Sequence, residues 1–191
     1  MLAIRRTLGG TLVLAALLFS AMLYPGGASA AACEGPYGGV TSNPAACEQP
    51  TVPGAKAQLV EGVAVAPASA PPAVKKVIEA ANRIRTKPYV WGGGHGRWWD
   101  EGYDCSGAVS FALRGARLIT SPLDSTGLMS WGEPEAGSWI SVYANAGHTY
   151  AVIAGLRWDT AGSVGGTGPR WYADTSSAVS GRFVVRHPPG Y

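Results

Sequence analysis

A switch in hydrophobic period partway along the chain constrains the fold more than any other feature. Val74, Val77, Ile78, Ala81 and Ile84 recur at helical spacing, with Pro72 tolerated at a helix start and Pro88 beyond the far end. The spacing predicts a helix over 73–85. A second helical stripe runs through Ala108, Val109, Ala112, Leu113 and Ala116, on one face with Cys105, and Gly115 marks its end. From Trp139 onward the apolar residues alternate instead. Segments 139–143, 148–154, 156–160, 171–173 and 182–185 read as strands, and Ala154-Gly155 as a two-residue hairpin turn. Helices first and an antiparallel sheet afterwards predict an α+β fold, with N-terminal helices packed on a central antiparallel β-sheet.

The segment before that switch has a different character. Residues 1–30 read as a signal peptide: Arg5 and Arg6 supply the basic end, Leu12 to Leu23 the apolar stretch, and Ala28-Ser29-Ala30 the small-residue cleavage pattern. The apolar run is short for a permanent membrane span, and Pro25, Gly26 and Gly27 break it, so no stable membrane insertion is expected after cleavage. Without those 30 residues the chain keeps 13 basic against 12 acidic residues. That balance offers no basic stripe for nucleic acid, and no nucleic-acid partner is expected. Residues 31–72, rich in Gly, Pro and Ala, read as a disulfide-closed segment followed by a linker without helical or strand period. The globular part is then expected over 73–191, as a monomer.

Export fixes how the three cysteines are read. Cys33 and Cys47 lie close together in the Gly/Pro-rich segment and pair naturally, leaving Cys105 as a free thiol. A helix starting at Cys105 seats the sulfur in its first turn, beside unpaired N–H groups and the positive end of the dipole, both of which favour the thiolate. Asp104 is a good N-cap, and Gly107 permits close backbone approach. A carboxylate next door disfavours the thiolate, so an imidazole must accept the proton.

Of the three histidines, His148 opens an alternating strand after Asn145-Ala146-Gly147. His95 stands in the Gly-rich loop and is read as structural or solvated. His187 lies in a Pro-rich tail and is read as solvated. With a two-residue turn at Ala154-Gly155, His148 and Asp159 share one face of the hairpin, in or near diagonal contact; a three-residue turn would separate them. Asp159 is then the candidate to hold the imidazole in its working tautomer, with Asp174 as the alternative.

Three motifs, Pro88-Tyr89-Val90-Trp91-Gly92-Gly93-Gly94, Asp104-Cys105-Ser106-Gly107-Ala108-Val109 and Gly147-His148, together resemble the NlpC/P60 family of cell-wall cysteine peptidases. The resemblance covers roughly 73–185 and includes the order of the elements. It implies a papain-like core and cleavage of peptidoglycan stem peptides, often between γ-D-glutamyl and a diamino acid. It implies Cys105 as nucleophile, His148 as base, and a third polar residue on the following strand, where Asp159 stands in place of the more usual His, Asn or Gln. Tyr89, Asp104 and Ser106 match positions that contact substrate in the family. Trp91 and Trp99 are added as candidate substrate contacts, two of seven Trp in a short chain.

Two departures concern the substrate groove. Arg97-Trp98-Trp99-Asp100-Glu101-Gly102-Tyr103 is bulkier than the usual small-residue loop, and Ala136-Gly137-Ser138 replaces the usual Pro-Gly-Asp. No metal site is expected, because the cysteines and histidines lack ligand spacing. Gly92-Gly93-Gly94 lacks the Lys-Ser/Thr of a phosphate loop, so no cofactor is expected. The implied protein is a secreted, cell-wall-associated bacterial hydrolase. The alternatives are a non-catalytic wall-binding module of the same fold, or a thiol amidase or transferase acting on another amide.

Overall fold

The computed structural model describes residues 33–34, 40–41, 49–162 and 167–191. The chain divides into two units, Met1–Glu48 and Gln49–Tyr191. In the first, strand β1 (Cys33–Glu34) pairs antiparallel with β2 (Val40–Thr41). The signal segment and Cys47, with the pairing expected for it, lie outside the described residues. No helix among the described residues is long and apolar enough to cross a membrane.

The second unit opens with a correction to the linker reading of 51–72. Strands β3 (Gln58–Val60) and β4 (Val63–Val65) form a hairpin, and Ala57, Ala64, Ala66 and Ala70 are buried. The turn residues Glu61 and Gly62 both have positive φ (49° and 78°), the geometry that matches the twist of a tight hairpin. Three-residue strands are too short for a visible period, yet the small alanines in and around them allow close packing. Asn82 locks the hairpin to the next helix, accepting from Ala64 N at 3.1 Å and donating to Ala64 O at 2.9 Å.

Helix α1 (Pro72–Ile84) starts at its proline and buries Val74, Val77, Ile78, Ala81 and Ile84. It packs on α2 (Cys105–Gly115), where a Cβ on Gly115 would collide with Ala80, so the glycine permits the close crossing. A short helix α3 (Ser125–Leu128) follows. The strands β5 (Glu133–Pro134), β6 (Ile140–Ala144), β7 (Thr149–Ile153), β8 (Leu156–Asp159), β9 (Arg170–Tyr172) and β10 (Val184–His187) form one antiparallel sheet. Their order is β5-β10-β6-β7-β8-β9. The expected α+β arrangement is therefore present. α2 lies against β7 and β8, and Trp158, fully buried, donates from Nε1 to Ala108 O at 3.0 Å across that interface.

The tail reading of His187 is also corrected. His187 closes β10, pairs with Glu133 in register, and sets its Nε2 3.3 Å from the Glu133 carboxylate. Prolines 188 and 189 end the strand rather than prevent it.

Candidate active site

Cys105 is the first residue of α2, as a half-buried free thiol. Asp104 caps the helix, its Oδ1 accepting from Gly107 N at 2.7 Å. The same carboxylate accepts from Gly92 N at 3.1 Å through Oδ2 and from Ser106 Oγ at 3.0 Å through Oδ1. It thus ties the helix start to the glycine loop. Asp104 N donates to Gly93 O, and a Cβ on Gly107 would collide with that same carbonyl. Glycine at 107 is therefore required for the loop to sit on the cysteine turn. As the first residue of the helix, Cys105 has an N–H with no acceptor inside the helix.

His148 stands one residue before β7, held by an Asn145 turn. Asn145 Oδ1 accepts from Gly147 N at 2.9 Å and His148 N at 2.8 Å, while Asn145 N donates to His148 O at 2.9 Å. Ile153 pairs with Leu156, so the β7–β8 turn has two residues, Ala154 (φ 48°) and Gly155 (φ 85°). That register puts His148 and Asp159 diagonally on one face, and His148 Nε2 lies 2.9 Å from Asp159 Oδ1. Cys105 is close enough to the His148 ring to favour its charged form. With Nε2 on the carboxylate, Nδ1 is the ring nitrogen left for the sulfur.

Electrostatics at this cluster follow from its burial and its hydrogen bonds. Burial disfavours the charged imidazole, but the bond to Asp159, the interaction with Cys105 and the charges of both outweigh it, lifting His148 from 6.5 to about 9. Burial works against the Asp159 anion too. The bonds from His148 and from Ala161 N dominate and hold its carboxyl below the usual range. At neutral pH the arrangement is a carboxylate, an imidazolium and a sulfur in series.

Around this core the remaining candidates occupy different places. Tyr89 bridges to Tyr103, and burial first, then the charges of Cys105 and Asp104, push its phenol upward, so it stays protonated as a donor near the sulfur. Ser106 is buried, its hydroxyl engaged by Asp104. Trp91 is 86% exposed on the glycine loop and Trp99 is 57% exposed, with Lys87 Nζ 5.0 Å from its ring centre. The bulky loop is explained in part by Tyr103, which is fully buried and donates to Trp98 O at 2.7 Å. Asp174 does not touch His148; it is 63% exposed and pairs with Arg157.

Sequence reasoning missed two participants, Arg157 and Ser177, and left the partners of His95 unnamed. His95 Nε2 sits 3.0 Å from Asp104 Oδ1 and 3.1 Å from Ser106 Oγ, bracing the cysteine turn from the glycine loop. Arg157 and Ser177 both donate to Asp159 Oδ2 at 2.8 Å. Arg157 could have been found, since it precedes Asp159 by two residues on the same face of an apolar strand, where a charge needs a partner.

No protein-family profile matches the chain, and no curated protein matches it. Among solved structures, a mutated form of the Resuscitation Promoting Factor Interacting protein RipA is similar at 24% identity with a TM-score of 0.45, over 60% of this chain. The alignment spans 61% of that protein's solved chain. The P60 domain of antigen MAP1204 from M. avium subspecies paratuberculosis is similar at 21% identity with a TM-score of 0.44, over 60% of this chain and 93% of that one. The second carries the P60 name, the family that the motifs of this chain resemble.

Proposed function

We propose that this chain is a secreted cysteine peptidase of the NlpC/P60 kind that hydrolyses peptide bonds in peptidoglycan stem peptides, at the bond between γ-D-glutamyl and a diamino acid. The observation that carries the reading is a single ring, His148, held 2.9 Å from a buried carboxylate on β8 and electrostatically coupled to the free thiol that starts α2.

In this reading the Cys105 sulfur, facing the His148 imidazolium, attacks the scissile carbonyl as the thiolate. The oxyanion that forms is met by the Cys105 N–H and the Tyr89 hydroxyl. His148 gives its proton to the departing amine, leaving an acyl group on sulfur as a thioester. Water, deprotonated by the now neutral His148, attacks the thioester; the acid product leaves and the thiolate–imidazolium pair is restored. Asp159 keeps Nε2–H engaged, so Nδ1 always faces the reaction. Asp104 and Ser106 hold the cysteine turn, and exposed Trp91 and Trp99 offer flat apolar faces to the polymer.

The test is digestion of purified peptidoglycan followed by mass spectrometry of the soluble fragments. The wild type releases fragments cut within the stem, and Cys105→Ala releases none while keeping its circular dichroism and melting temperature. Equal release by the variant overturns the proposal, and fragments cut at another amide redirect it to a different thiol hydrolase.

A further inference from the structure

Four donors converge on Asp159, divided evenly between its two oxygens. His148 Nε2 and Ala161 N reach Oδ1, both at 2.9 Å, and Arg157 Nη1 and Ser177 Oγ reach Oδ2, both at 2.8 Å. The oxygen facing the imidazole is thus selected by what holds the other one. Arg157 is itself 3% exposed and held from several sides. Its Nη2 lies 3.1 Å from Asp174 Oδ1, its Nη1 also reaches Ala161 O at 3.3 Å, and its guanidinium stacks 4.2 Å over the Tyr172 ring. A guanidinium fixed this way has little freedom to turn, and it presents a planar fork to the carboxylate.

We propose that Arg157 is a positioning residue for the site: it clamps Asp159 Oδ2 so that Oδ1 stays aimed at His148 Nε2, and with it the ring at Cys105. The inference rests on the thiol-hydrolase reading and extends it by one residue behind the orienting carboxylate. The titratable and charged groups facing His148 are Cys105 from α2, Asp159 from β8 and Tyr150 from its own strand, with Arg157 and then Asp174 behind Asp159. Arg157 hydrogen-bonds to neither His148 nor the sulfur, so its hydrogen-bonded route to the chemistry passes through Asp159. A lysine at 157 keeps the charge but cannot hold the carboxylate and Asp174 together.

A double-mutant cycle isolates that route. Arg157→Met is made in the wild type and in Asp159→Asn, and two rates are read: stem-peptide hydrolysis, and alkylation of Cys105 by iodoacetamide at pH 7. In the wild-type background Arg157→Met lowers kcat by about 10- to 100-fold with KM little changed, the scale of a misaligned catalytic group, and slows alkylation by about 3-fold or more. In Asp159→Asn the same change costs no more than about 2-fold in either rate. An equal factor in both backgrounds marks a general loss of structure and overturns the proposal. Should Arg157→Met not fold, Asp174→Asn replaces it, because Asp174 is exposed and holds only the far end of the guanidinium. Its kcat falls by about 2- to 5-fold, and only where Asp159 is intact; an unchanged kcat overturns the proposal. If the wild type is alkylated readily but cuts no stem peptide, the peptidase reading fails alone and the alkylation cycle judges Arg157.

Discussion

Asp159→Asn separates the charge of the orienting carboxylate from its shape. The asparagine fits the same space but brings an NH2 group against two of the four donors, and it removes the anion that sustains the imidazolium. Lifting His148 from 6.5 to about 9 corresponds to about 3 kcal/mol of preference for the charged ring. Asp159 is foremost among the interactions that raise it, and burial opposes them. Without the anion His148 falls to its ordinary 6.5 or below. At pH 7.5 the protonated share then drops from nearly all molecules to about one in ten, roughly a tenfold loss of the ion pair. The assay is hydrolysis against pH with iodoacetamide alkylation alongside. In the wild type the alkaline limb of hydrolysis lies near pH 9, where His148 loses the proton it must give the leaving amine; in the variant it moves to about 6.5 or lower. Stability follows the same sign. The His148 contribution is complete below pH about 6.5 and is lost as pH rises through about 9, so the variant's stability deficit shrinks across that window. An alkaline limb that stays near 9 in Asp159→Asn refutes the coupling.

Two further substitutions test how the scaffold seats the sulfur. Gly107→Ala drives a methyl into the Gly93 carbonyl, so the glycine loop lifts from the cysteine turn; a stability loss of about 1–3 kcal/mol in denaturant unfolding is expected, with a larger fall in kcat than in stability. Trp158→Ala empties a fully buried site between β8 and α2 and removes the donor to Ala108 O, so unfolding measurements should show a loss of about 3–5 kcal/mol, and a loss under 1 would deny that this contact joins the two halves of the site.

Particular residues show which parts of this arrangement could be read from the sequence. The start of α2 was legible because Asp104 before an apolar 3.6-residue stripe carries both a cap and a period. The facing of His148 and Asp159 was legible because Ala154-Gly155 fixes a two-residue turn, and parity does the rest. The β3–β4 hairpin was not, since strands of three residues are too short to show an alternation, and only Glu61-Gly62 signals the turn. The second side of Asp159 depends on Ser177, which arrives from a Ser- and Gly-rich stretch with no periodic pattern, so no spacing rule connects it to residue 159. His95 was read as structural or solvated, but its partners could not be named for a similar reason: Asp104 and Ser106 are reached only by the fold of the glycine loop.

The central claim is that Cys105 carries an acyl group during turnover, and intact-mass spectrometry of the protein after brief mixing with a stem peptide tests it most directly. A transient gain in mass equal to the acyl half of the substrate is expected, mapped to Cys105, released by hydroxylamine and missing in Cys105→Ala. Turnover of the peptide with no adduct on the protein, at a rate that Cys105→Ala matches, contradicts it.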